Sequence, residues 1–153
     1  MPRPPQSAQA PTPVPVLQQI EQFRRQPPAH GVLAISGHDI KLSRFPEECL
    51  DLAGVKRIEL RDHALTELPE ALTELAGRGV VLDVRHNPIR RLPTAYRSDG
   101  ELPGLVIDTL QWRHLQGHLA PAAVHGLQIL ARHKDGWLEQ ALALPRLREL
   151  SLA

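Results

Sequence analysis

Apolar and polar positions follow two rhythms along this chain. From Val16 to Arg25, VLQQIEQFRR places Leu17, Ile20 and Phe23 on one helical face, and QPPAHG stops that helix with Pro27, Pro28 and Gly31. GVLAISGHDI then alternates, with Leu33 and Ile35 apolar before a turn and Ile40 beyond it, which predicts a strand. PEECLDLAG with Cys49, Leu50 and Leu52, and PEALTELAGRG with Leu72 and Leu75, read as short helices, the second ended by Gly77 and Gly79. After the loop RSDGELPG, LVIDTL (Leu105 to Leu110) predicts another strand, and QWRHLQGHL leads toward a helix. Pro121 suits the first turn of a helix through Arg132, with Val124, Leu127, Leu130 and Ala131 inward. A further helix is expected through GWLEQALAL, and LRELSLA closes the sequence.

Three segments share one order. In IELRDHALTELP (Ile58 to Pro69) and LDVRHNPIRRLP (Leu82 to Pro93) the positions match one for one. Ile58 aligns with Leu82, Leu60 with Val84, His63 with Asn87, Leu65 with Ile89, Leu68 with Leu92 and Pro69 with Pro93, at a period of 24 residues. LAISGHDIKLSRFP (Leu33 to Pro46) starts 25 residues before Ile58 and carries two extra residues before Phe45 and Pro46. This order resembles the leucine-rich repeat, whose period lies at about 20–29 residues. The resemblance implies Leu82 and Val84 pointing inward from a short strand, Asn87 at the bend bonding neighbouring backbone, and Ile89 and Leu92 filling the core. Each repeat would be too thin to bury its own apolar edge, so stacking would supply the stability. The asparagine position is filled by Asn87 only, with His63 and His38 in the other two segments. An imidazole is expected to supply part of that bonding. Leu147, Leu150 and Leu152 fill the first leucine positions of one more repeat, either as a terminal edge strand or as the front of a longer array.

Composition narrows the chemistry. The chain has 153 residues, 42% apolar yet only 3% aromatic, so the core is built from Leu, Ile, Val and Ala and offers little stacking surface. A net charge of +1 gives no bulk pull toward nucleic acid or anionic lipid, and no run approaches the roughly 20 apolar residues of a membrane span. Residues 1–15, rich in Pro, are expected to form a disordered leader, residues 16–111 the first helix and the repeats, and residues 112–153 a helical segment ending in a strand start. The bias toward Arg over Lys suggests a GC-rich bacterial genome.

Candidate reactive groups are sparse. His114 and His118 stand four apart in HLQGH, the spacing of two ligands on one helical face, but no acidic residue stands between them as H-E-x-x-H requires. Cys49 sits beside Glu47 and Glu48, which disfavour a thiolate, and reads as a small core residue. No nucleophile elbow or phosphate-cradling glycine loop is present, so no enzyme, metal or cofactor is expected. The repeat resemblance implies that Lys56, Arg57, Glu59, Arg61 and Asp62 share a concave face with Asp83, Arg85 and His86. On that face Glu59 would stack on Asp83, and Arg61 on Arg85, giving an acidic column beside a basic one.

The expected architecture is α/β: a short leucine-rich-repeat solenoid with parallel strands and convex helices, plus a helical C-terminal part. The expected function is non-catalytic recognition of a protein partner through the strand face, in the cytoplasm. The L-P endings also resemble those of secreted bacterial effectors that carry a separate ubiquitin-ligase domain. That alternative implies a targeting role in a host cell. A metal-dependent enzyme using His114 and His118 is the alternative of another class.

Overall fold

Six short strands, each with apolar residues on one side, pair side by side in the order in which they occur along the chain. The computed structural model describes residues 12–35, 37, 40–93, 96, 104–115, 118–120, 123–130, 139, 141–145 and 147–152. The strands are β1 (Val32–Ala34), β2 (Arg57–Glu59), β3 (Val81–Asp83), β4 (Leu105–Asp108), β5 (Val124–Ile129) and β6 (Glu149–Leu152). All neighbouring pairs are parallel, in the order β1-β2-β3-β4-β5-β6. The described residues include helices α1 (Val14–Arg25), α2 (Leu72–Gly77) and α3 (Thr109–Leu115), a 3-10 turn at Glu47–Cys49, and further helical residues at Glu139, Ala141 and Leu142. The fold is α/β.

The two matched segments behave alike. Leu33, Ile58 and Leu82 stand in one register row, and the residues aligned with them downstream, Leu60, Leu65 and Leu68 in one segment and Val84, Ile89 and Leu92 in the other, are all buried. Each such side chain contributes roughly 1.5–3 kcal/mol of burial, so this row is the main apolar support of the sheet. α2 adds Leu72, Leu75 and Ala76 to the same core and stops where Gly79 takes φ 78°, as its glycines predict. Cys49 is fully buried, and burial, with Glu48 nearby, pushes its thiol up to about 12.

Polar side chains tie the turns together. Asn87 accepts the Leu65 N–H at Oδ1 (3.1 Å), and its Nδ2 donates to the carbonyls of Leu60 (2.7 Å) and Val84 (3.1 Å). His63 does the same work one segment earlier: Nδ1 accepts the Leu42 N–H (2.9 Å) and Nε2 faces the Ile35 carbonyl at 2.7 Å. A backbone N–H must meet a lone pair and a carbonyl must meet a proton, so the ring is neutral with its hydrogen on Nε2. The imidazole thus replaces both kinds of asparagine bond, more than the partial substitute expected. Just before each of these residues the chain turns through a left-handed conformation, at Asp62 (φ 64°) and His86 (φ 63°), where Asp and His are tolerated far better than β-branched residues.

Several boundaries differ from expectation. Val124–Ile129 is a strand, not the interior of a helix: it pairs with β4 and β6 and buries Val124, Leu127 and Ile129, with the β4 register shifting between Leu105 and Val106. The C-terminal part is therefore not purely helical: β5 and β6 complete the sheet, which has six strands among the described residues. α1 starts at Val14, inside the expected leader, with Pro15 in its first turn, and buries Val16 in place of Leu17 beside Ile20 and Phe23. The helix expected around Cys49 is a single 3-10 turn. Residues 1–11 and His38 lie outside the described residues, as do Gly136, Trp137, Leu138 and Gln140 of GWLEQALAL, in which Glu139, Ala141 and Leu142 are helical.

The neutral state of His63 makes stability depend on pH. Burial, with Lys41 nearby, lowers its pKa, against the opposing pull of the Ile35 bond and Asp62. The unfolded chain therefore binds a proton that the folded chain resists, so stability is complete above the unfolded value of about 6.5 and declines as pH falls from there through the lowered folded value. His63→Asn should keep the ladder and flatten this part of the urea-midpoint profile between about pH 7 and 5. His63→Leu should cost about 3 kcal/mol at neutral pH, because it orphans the Leu42 N–H and the Ile35 carbonyl.

Candidate functional site

The face of the sheet opposite the leucines carries charge. Register places Ala34, Glu59, Asp83, Val106, Gly126 and Glu149 in one row across all six strands. In a flat sheet β2 and β6 would stand about 19 Å apart, four strand spacings. Yet Arg57 Nη1 on β2 donates to Glu149 Oε2 on β6 at 2.6 Å. The sheet must curve toward this face for the two side chains to meet. Gly126 shows the same convergence: a Cβ there would lie 3.1 Å from Glu149 Cβ and 3.1 Å from both Val106 methyls. A side chain there would need both neighbours to give by a few tenths of an ångström.

Asp83 is the centre of the network. It is 0% exposed, and Arg85 grips it with Nε to Oδ1 (3.0 Å) and Nη2 to Oδ2 (2.8 Å), while Arg57 Nη2 donates to Oδ2 at 3.3 Å. Arg61 lies 3.7 Å from the same carboxylate and 3.5 Å from Glu59. Arg57 also donates from Nε to Glu59 at 2.7 Å. Burial works against the charge on Arg57, but its bonds to Glu149 and Glu59 outweigh that and raise its pKa above the ordinary arginine value. The bond to Asp83 does the same for Arg85 against its own burial. Three guanidinium groups thus meet three carboxylates, and the cluster is charge-balanced within itself.

Of the eight residues selected from sequence, Arg57, Glu59, Arg61, Asp83 and Arg85 come together here. Lys56 is exposed just before β2, and Asp62 is exposed in the following turn, its carbonyl accepting from Lys41 Nζ at 2.6 Å. His86 turns instead to β4: its N–H donates to Asp108 Oδ2 at 2.9 Å, and its Nδ1 lies 3.5 Å from the same oxygen. Glu59 and Asp83 are in register, but Asp83 is a buried anchor and not a rung of an exposed ladder. The sequence reading missed Glu149, His125 and Asp108. Glu149 precedes Leu150 as Glu59 precedes Leu60, a signal already present in LRELSL. His125, which lies 3.2 Å from Glu149, was hidden by assigning its segment to a helix.

His114 and His118 do not share a helical face, because α3 ends at Leu115 and His118 lies in the turn beyond. No group of three or more His, Cys, Asp or Glu side chains among the described residues is placed to hold a metal ion. No helix among the described residues is long and apolar enough to cross a membrane.

Removing the central carboxylate should show what the cluster does. Asp83→Ala leaves Arg57 and Arg85 half-buried without their shared partner, and should cost about 3–5 kcal/mol in urea denaturation. Arg61→Ala, at 45% exposure and with longer contacts, should cost less than about 1 kcal/mol. Comparison with protein-family models, curated proteins and solved structures finds no match for the chain.

Proposed function

We propose that this chain is a short leucine-rich-repeat solenoid that serves as a non-catalytic protein-recognition module, its curved strand face meeting the partner. Support for the repeat reading comes from the 24-residue self-similarity, the parallel strands in chain order, and the His63 and Asn87 bonds at equivalent bends. The observation that carries the functional reading is the division of the charged face into two depths. Asp83, Arg57 and Arg85 saturate one another and fix the shape, whereas Lys56, Arg61 and Asp62 stand exposed along its rim. A rigid base under a mixed-charge rim suits a partner of complementary charge pattern, since the base needs no ordering on binding. The hydrogen-bonding capacity of Arg61 is only loosely committed, leaving its guanidinium free to form a forked pair with a partner carboxylate.

The test is affinity capture with the wild-type chain and with a Lys56→Glu, Arg61→Gln double variant. Glutamine at 61 avoids adding a carboxylate beside Asp83, so the fold is retained. A partner held by the wild type should bind the variant at least about tenfold more weakly, with a slower association rate and weaker salt dependence. Equal retention of every captured protein would remove the strand face from the recognition surface.

A further inference from the structure

Beside the charged face, the turn after β3 and the start of α3 enclose a cavity of about 350 Å³. Its polar lining includes His86, Arg90, Asp108 and His114, and its apolar lining includes Leu110 and Leu130. It opens beyond the carboxyl ends of β3 and β4, the end of a parallel sheet where ligands usually gather.

The charges in this wall are unequal in availability. Asp108 is committed: Oδ1 accepts the Gln111 N–H at 2.8 Å and Oδ2 accepts the His86 N–H at 2.9 Å, and its side chain is 3% exposed. Arg90 and His114 are not: among the described residues neither side chain has a hydrogen bond or an ion pair, and both are exposed. The free polar groups of the cavity are thus the Arg90 guanidinium and the His114 imidazole, which favour an oxyanion. One helical turn before His114 on α3, Leu110, 47% exposed, is one of the few large apolar side chains left open to solvent among the described residues. The volume is about twice that of a cavity that holds a benzene ring, enough for one ring with an anionic head.

We propose that this cavity binds a small amphipathic anion, its carboxylate or phosphate head held by Arg90 and His114 and its apolar body laid against Leu110 and Leu130. The site is separate from the strand-face rim and does not depend on the recognition reading. His86, fixed by Asp108, forms the wall between the head and the sheet.

The test is an NMR titration of the full chain, following the His86 and His114 ring signals and the Leu110 and Leu130 methyls. The probes are phenyl phosphate, benzoate, phenol and inorganic phosphate. Phenyl phosphate, benzoate or both should shift these four residues along one saturating curve, and the tighter of the two identifies the head group. Phenol and inorganic phosphate, each lacking half of the ligand, should bind at least about tenfold more weakly. An Arg90→Gln, His114→Gln variant should lose at least about tenfold in affinity, and so should Leu110→Glu, which places a repelling charge at an exposed position of the mouth. Shifts that never saturate, inorganic phosphate binding as tightly as phenyl phosphate, or unchanged affinity in both variants would each overturn the proposal.

Discussion

A thin parallel sheet with strands of three to six residues cannot hold its bends by strand pairing alone. After each strand the chain must turn away from the sheet, leaving buried N–H and C=O groups with no strand opposite them. Three side chains spaced 24 residues apart fill that need: His63, Asn87 and Gln111. Their donors take the carbonyls of Ile35, Leu60 and Val84, at 2.7, 2.7 and 2.6 Å. The first two also accept a backbone N–H from the preceding turn, of Leu42 and Leu65. Gln111 stands on α3, close to the end of β4, and reaches back with its longer arm while its Oε1 accepts the Asp108 N–H at 2.9 Å. One function is thus met by three residue types.

Curvature follows from what lines the two faces. Leucine, isoleucine and valine fill the side toward the helices, while the opposite row holds Ala34, Gly126 and Val106 among its charges. Small residues let neighbouring strands tilt inward, and the Arg57 to Glu149 pair closes the resulting gap across four strand spacings. The desolvation of Asp83 is compensated only because Arg57 and Arg85 arrive together. Electrostatics here sets shape first, and leaves Lys56, Arg61 and Asp62 exposed at the rim.

The 24-residue self-similarity and its apolar positions were legible because both matched segments bury the same places: Ile58, Leu60, Leu65 and Leu68 in one, Leu82, Val84, Ile89 and Leu92 in the other. Gln111 was not, although it lies as far beyond Asn87 as Asn87 lies beyond His63, because its segment continues into a helix where the others bend. Val124–Ile129 was misread because Val124, Leu127 and Leu130 also fit a helical face, and a short apolar run does not distinguish the two periods. The charge network was half legible. Columns of acid and arginine follow from register, but the depth of Asp83 depends on curvature, and the Arg57 to Glu149 contact joins residues 92 apart, which no local pattern encodes.

The claim that polar side chains hold the bends is tested most directly by amide hydrogen exchange at Leu42 and Leu65. Neither N–H has a backbone acceptor in the sheet; each is donated to a side chain, His63 Nδ1 or Asn87 Oδ1. Both amides should be protected to the level of the core strand amides of Leu60 and Val84, and Asn87→Ala should collapse protection at Leu65 well before it does so at Leu42. Exchange of Leu42 and Leu65 at the rate of exposed turns in the wild-type chain would contradict the account.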